Sequence, residues 1–165
     1  MTLTDGGPAA VLDLASSNAH ANEALWAGRK TEVTVMGYTW GEVTPSALRS
    51  HDLILGSDLT YATESHAPLC RSLASLLGSH PTQARVVLAH ERRVAVEGAV
   101  DDKLEQFMAT ANREGLRVLE FERTQHNGRA ISLLEVQDVC HDACTGAADI
   151  GYAAQDGAAT TTTTK

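Results

Sequence analysis

Three consecutive aliphatic residues, Leu53-Ile54-Leu55, stop abruptly at Gly56-Ser57. A run that short cannot form the apolar face of a helix, so it reads as a strand buried on both faces, as inside a parallel sheet. Val86-Val87-Leu88, within Arg85 to Ala89, repeats the pattern. Between the two, Ser65 to Leu77 is spaced as a helix, with Leu69, Leu73, Leu76 and Leu77 on one face. Pro68 fits only its first turn, and Gly78 is its stop. Strand, helix and strand in this order predict an α/β protein.

In open α/β sheets, ligands bind just beyond the carboxyl ends of the strands. His90-Glu91-Arg92-Arg93 leaves the second strand at that end and is read as a solvated charge run without a role. Asp58 and Tyr61 follow the first strand at once, three residues apart. A carboxylate and a phenol so placed can face one bound group; a turn or helix cap is the other reading of Asp58.

The flanking segments extend the series. Thr2-Leu3-Thr4 is β-prone and runs into Asp5-Gly6-Gly7-Pro8, a sharp turn with a proline suited to open a helix. Ala9 to Asn22 is helical in spacing, with Val11, Leu12, Ala15 and Ala19 on one face. An acid at a strand end before such a turn is how Rossmann-like folds grip ribose hydroxyls; a helix cap is the alternative for Asp5. Thr31 to Tyr38 alternates like an edge strand and is followed by Trp40-Gly41. A flat indole can cover an adenine ring, or serve as plain packing. Asp102 and Glu105 read as a capping box for a helix through Leu104, Phe107, Met108 and Ala111, stopped at Gly115. Leu116 to Thr124 and Ala130 to Val136 form a hairpin through Asn127-Gly128.

From Leu3 to about Val136 these motifs stand in the order of the family-16 protein-lysine methyltransferases, and Asp-Leu-Ile-Leu-Gly-Ser-Asp-Leu-Thr-Tyr resembles that family's fourth strand and Asp-x-x-Tyr motif. The resemblance implies a Rossmann-like, seven-strand class I sheet ending in an antiparallel hairpin, with S-adenosylmethionine as methyl donor. It also implies roles: Asp5 on the ribose, Trp40 near the adenine, Ser57 lining the cofactor pocket, and Asp58 and Tyr61 positioning the lysine amine of a protein substrate.

The resemblance covers the carboxyl-terminal part of the family domain. The family's first strand and its Gly-rich loop, which lie in the sheet between the second and fourth strands, have no counterpart here. Strands lie about 4.8 Å apart, so an empty slot leaves its neighbours roughly 10 Å apart. Each edge then holds backbone groups unpartnered at about 1–3 kcal/mol apiece, and four or five of these rival a domain's stability of about 5–15 kcal/mol. Three resolutions follow: Thr2 to Asp5 re-pairs with the strand at Leu53, a partner fills the slot, or the chain is a truncated piece of a longer enzyme. The last is the expectation, and binding of the cofactor by this chain alone is expected to be weak or nil.

A length of 165 residues suits one domain, taken as residues 1–137, followed by a disordered Ala/Gly/Asp/Thr tail over 138–165. A net charge of −8 argues against a nucleic-acid partner and favours a basic substrate segment. No apolar run reaches the roughly 20 residues that cross a bilayer, and the amino terminus has no signal-peptide pattern. Cys70, Cys140 and Cys144 lack disulfide spacing, which points to a reducing compartment, the cytoplasm, with the nucleus also open. Cys140-His141 and Cys144 lack a second cluster that would complete a metal site. Two rival functions stand beside methyl transfer. One is a catalytically inactive, methyltransferase-like interaction module; the weaker is a nicotinamide-dependent enzyme, which also needs a Gly-rich turn.

Overall fold

The computed structural model describes residues 1–29, 31–78, 84–93 and 100–139. Its larger part is a four-stranded sheet ordered β3-β4-β6-β5, formed by β3 (Leu53–Ser57), β4 (Arg85–Glu91), β5 (Leu116–His126) and β6 (Arg129–Asp138). β3 and β4 are parallel, and β4-β6 and β6-β5 are antiparallel. The hairpin turns on Asn127 (φ 50°) and Gly128 (φ 76°), as the type of turn favoured by Asn-Gly requires. A bulge between Glu120 and Glu122 shifts the β5 register.

Two helices, α2 (His66–Gly78) and α3 (Asp102–Arg113), cover one face of this sheet. Leu69, Cys70 and Leu73 from α2 and Leu104, Phe107 and Ala111 from α3 pack on Val86, Leu88, Val118, Leu134 and Val136. Burial, with Glu114 adding to it, pushes the Cys70 thiol up to about 11, so this cysteine behaves as a small core residue.

The opposite face is more open, and here one expectation is corrected. Leu53 and Leu55 are 53% and 71% exposed, not buried on both faces. Alternation along β3 turns Ile54 toward the helix-covered face, and among the described residues no layer covers the other face, where Leu53 and Leu55 stand. A second correction concerns α3. Its cap is Asp101, one residue before the expected capping box: the Asp101 carboxylate accepts from the amides of Lys103 and Leu104, both at 3.2 Å.

Strands β1 (Thr2–Asp5) and β2 (Thr34–Gly37) form a separate parallel pair, with α1 (Ala9–Ala21) after β1. No residue of α1 is buried. Among the described residues, β1 does not pair with β3; the two approach through His51 Nε2 and Thr2 Oγ1, 2.9 Å apart. Re-pairing of Thr2 to Asp5 with the Leu53 strand, the first of the three resolutions, is thus not the arrangement found. β6 ends at Asp138, and the amide of Val139 donates to the Gly115 carbonyl. Residues 140–165, nearly all of the expected tail, lie outside the described residues, as do Cys140, His141 and Cys144.

Candidate functional site

The turn after β3 is shaped from below. A Cβ on Gly56 would lie 2.5 Å from Leu59 Cδ1 and 2.8 Å from Leu88 Cδ2, so a larger residue would have to displace the Leu59 and Leu88 side chains, and glycine leaves Leu59 packed on the core. The chain passes through Asp58 with φ at 53°, a left-handed conformation that Asp and Asn tolerate better than other non-glycine residues. Asp58 donates its amide to the Ala89 carbonyl at 2.8 Å, which ties the turn to the end of β4.

Asp58 and Tyr61 are brought together, and a cation joins them. Arg93 Nη2 donates to Asp58 Oδ2 at 2.7 Å, and the Arg93 guanidinium lies over the Tyr61 ring, 5.7 Å from its centroid. Asp58 Oδ1 is buried and has no hydrogen-bond partner among the described residues. A buried carboxylate oxygen without a donor is costly and suits a site that receives one. Asp58 caps neither α2 nor the short 3-10 turn at Thr63–Ser65 before it.

Behind the turn lies a polar network that the sequence reading passed over. Thr60 Oγ1 is 2.6 Å from His90 Nδ1, and His90 Nε2 is 2.9 Å from Asp101 Oδ2. Thr60, His90 and Asp101 are only 1%, 2% and 7% exposed. Burial pushes the Asp101 carboxyl up, but hydrogen bonds from His90 and from the Leu104 and Lys103 amides outweigh it and hold the group below its usual range. The charge run His90 to Arg93 is therefore not simply solvated: His90 is in the core, and Arg93 is on Asp58. The alternation of β4 already carried the signal, because His90 continues the inward series Val86, Leu88.

Asp5, Ser57 and Trp40 stand apart from that pair in chemistry. Asp5 and Ser57 are exposed, and each is the last residue of its parallel strand, β1 and β3. Asp5 Oδ1 accepts from the Gly7 amide at 2.7 Å, closing the turn before α1; the cap position itself is Pro8 and has no side-chain cap. Trp40 is half-buried and packs against both apolar clusters, including Ile54 and Leu76. A groove of about 680 Å³, lined by Ser16, His20, Glu23, Trp26 and Val33 among others, includes none of these candidate residues.

An α/β sheet ordered this way, with its polar groups at the carboxyl ends of parallel strands, defines a Rossmann-like protein of the class I methyltransferase type. The family model described as lysine methyltransferase, methyltransferase family 16, matches residues 1–114, and the chain belongs to that family, whose members take their methyl group from S-adenosylmethionine. Among solved structures it resembles a methyltransferase from Pyrococcus furiosus (TM-score 0.54, 13% identity), covering 82% of this chain and 61% of that one. It also resembles TnmH (TM-score 0.51, 19% identity), over 82% of this chain and 42% of the other. A LepI variant in complex with SAH and a substrate analogue is similar as well (TM-score 0.51, 11% identity, 82% and 35% covered). At these identities the likeness is one of fold, and the chain spans less than two thirds of the length of each. A search of curated proteins by sequence finds no match.

Proposed function

We propose that this protein serves protein-lysine N-methylation, with Asp58 and Tyr61 as the seat for the target amine and S-adenosylmethionine as the methyl donor. What supports the reading most is the bound cation: the pair already holds the Arg93 guanidinium, by charge at Asp58 and by the ring face of Tyr61. A lysine ammonium offers the same charge on a slimmer stem and suits the place that the guanidinium holds at Asp58 Oδ2.

The chain's own residues fit the cofactor in part. The exposed carboxylate of Asp5 suits a ribose diol, and Ser57 stands at the end of β3, in the other sheet. No described strand or Gly-rich loop lies between β1 and β3 to cradle the methionine end. When bound, the cofactor supplies an electrophilic methyl on a sulfonium. The residues contribute position: Asp58 and Tyr61 fix the nitrogen on one line of approach. A free lysine has a pKa of about 10.4 and must lose a proton to attack. The Asp58 carboxylate favours the charged amine, so its part is binding and orientation rather than strong general base catalysis.

A second reading, an interaction module without catalysis, is favoured by one observation: β1 and β3 do not pair. Incubation with methyl-labelled cofactor and a lysine peptide library, read by mass spectrometry beside cofactor calorimetry, separates the two. Mono-, di- or trimethylated lysine peptides, reduced in amount by Asp58→Asn, support the first reading. Cofactor binding without any lysine methylation contradicts it, and neither binding nor methylation selects the module. The lack of disulfide spacing among the cysteines supports a reducing compartment, the cytoplasm or the nucleus, and the net charge of −8 supports a protein substrate segment of basic character.

A further inference from the structure

We infer that His90 is a positioning residue for the Asp58–Tyr61 turn, acting through Thr60 on one side and the start of α3 on the other. The inference rests on the reading of that turn as the amine seat. Four successive points of the turn are gripped by structure beneath it. The Asp58 amide donates to the Ala89 carbonyl; the Thr60 hydroxyl meets His90 Nδ1; the Thr60 carbonyl accepts from His66 Nε2 at 2.8 Å; and the Tyr61 carbonyl accepts from Lys103 Nζ.

Three of these grips converge on one assembly. Asp101 is an acceptor, so His90 Nε2 must carry the proton between them, and in the neutral ring Nδ1 is left to accept the Thr60 hydroxyl. The other Asp101 oxygen caps α3 through Lys103 and Leu104, and the Lys103 side chain reaches back to Tyr61. His66 stacks edge-on against Phe107 of α3, ring centroids 5.5 Å apart, which fixes the grip on Thr60 from the α2 side. The β4 end and the α3 start are thereby locked together with His90 at the junction.

Such redundancy has a physical purpose. Asp58 is held at a positive φ, which a short exposed turn does not keep unaided. Apolar burial alone would fix Leu59 without fixing the backbone on either side of it. A buried hydrogen-bonded network holds the backbone from which the Asp58 and Tyr61 side chains project.

Side-chain mimicry gives the test, carried out on the full chain. In His90→Asn the amide stands where Nδ1 stood and can still meet Thr60; in His90→Gln it reaches the Nε2 position and can still meet Asp101. Amide hydrogen exchange is followed at Asp58, whose amide is bonded to the Ala89 carbonyl, against Val86 to Leu88 and the amides of α3. His90→Gln and Thr60→Val should speed exchange in the turn by about ten-fold, the worth of one buried hydrogen bond, while the β4 amides stay within about two-fold. His90→Asn should restore most of the turn's protection. Under lysine-peptide methylation, His90→Gln should raise KM for the peptide more than it lowers affinity for the cofactor. A uniform rise across β4 and α3, or His90→Asn no better than His90→Gln, overturns the inference in favour of a purely structural core histidine. If the parent chain methylates no lysine, the proposed function fails, while the exchange comparison still decides the role of His90. If Thr60→Val does not fold, the Asn and Gln pair alone carries the decision.

Discussion

Strands β3, β4, β6 and β5 and helices α2 and α3 enclose twelve buried side chains in one cluster, whereas α1 beside β1 and β2 buries none. The two regions carry different parts of the proposed site. Asp58 and Tyr61 rise from the well-packed part and are braced by Ala89, His90 and Lys103. Asp5 rises from the poorly packed part and is braced by the Gly7 amide in its own turn. The proposed amine seat is accordingly braced, and the proposed ribose contact rests on a marginal pair of strands; two-stranded units have little independent stability. Where a methyltransferase-like chain loses function first should follow this division.

The largest effect that tests the contrast is on stability. Phe107 is fully buried in α3, and Phe107→Ala should cost about 3–5 kcal/mol by denaturant unfolding. Leu12 in α1 is half-buried, and Leu12→Ala should cost roughly 1 kcal/mol or less. Comparable losses at the two sites would show that the regions form one cooperative core.

Asp58→Asn comes next. Asparagine tolerates the left-handed backbone at Asp58, so the change removes charge without strain. The lysine methylation rate should fall by roughly ten- to a thousand-fold, the loss of one charge-assisted contact of about 1.5–4 kcal/mol. Cofactor affinity should change far less, and Tyr61→Phe should cost less because the ring face remains. Unchanged methylation by Asp58→Asn would remove the residue from the site.

On the proposed reading, Arg93 competes for the place of the substrate amine, and its ion pair is half-exposed. An exposed pair of this kind is worth about 0.2–1 kcal/mol, so Arg93→Met should lower KM for lysine peptides by a few-fold at most. A raised KM would mean that Arg93 organises the seat instead.

The smallest effect concerns the hairpin. The Arg123 hydrogen bond leads the causes that hold Glu120 at about 2, against a burial penalty and with help from Ser132. A lowered folded-state pKa stabilises above the unfolded value near 4.5, and that contribution is lost as pH falls from about 4.5 toward about 2. Acid titration of Glu120→Gln should therefore show a shallower loss of stability than the parent chain across that window, while the β1–β2 region behaves alike in both.

Much of this architecture is legible in the sequence because it rests on local signals. Leu53-Ile54-Leu55 and Val86-Val87-Leu88 are strands, Asn127-Gly128 turns the hairpin, and Gly115 follows α3 with φ at 77°. What failed was burial, which depends on neighbours rather than on the residues themselves. Leu53 and Leu55 look like core residues yet lie on an edge strand whose outer face is open. The site divides the same way. Asp58 and Tyr61 are near in sequence and stand out by spacing, whereas Arg93, 35 residues from Asp58, and Asp101, 11 from His90, meet their partners only through the parallel pairing of β3 with β4 and the return of α3. A histidine ending an inward-facing strand series and an Asp beginning a helix each look ordinary alone.

The most direct test of the central claim is whether the Asp58–Tyr61 pair binds a lysine side chain in this chain itself. Arg93→Met protein with labelled tyrosine is titrated with a capped lysine amide, and with the matching norleucine amide, while the Tyr61 ring resonances are followed by NMR. The account predicts a saturable shift with lysine, little with norleucine, and loss of the lysine shift in the Asp58→Asn, Arg93→Met double variant. Equal shifts with both amides, or a lysine shift that survives removal of the Asp58 charge, would contradict it.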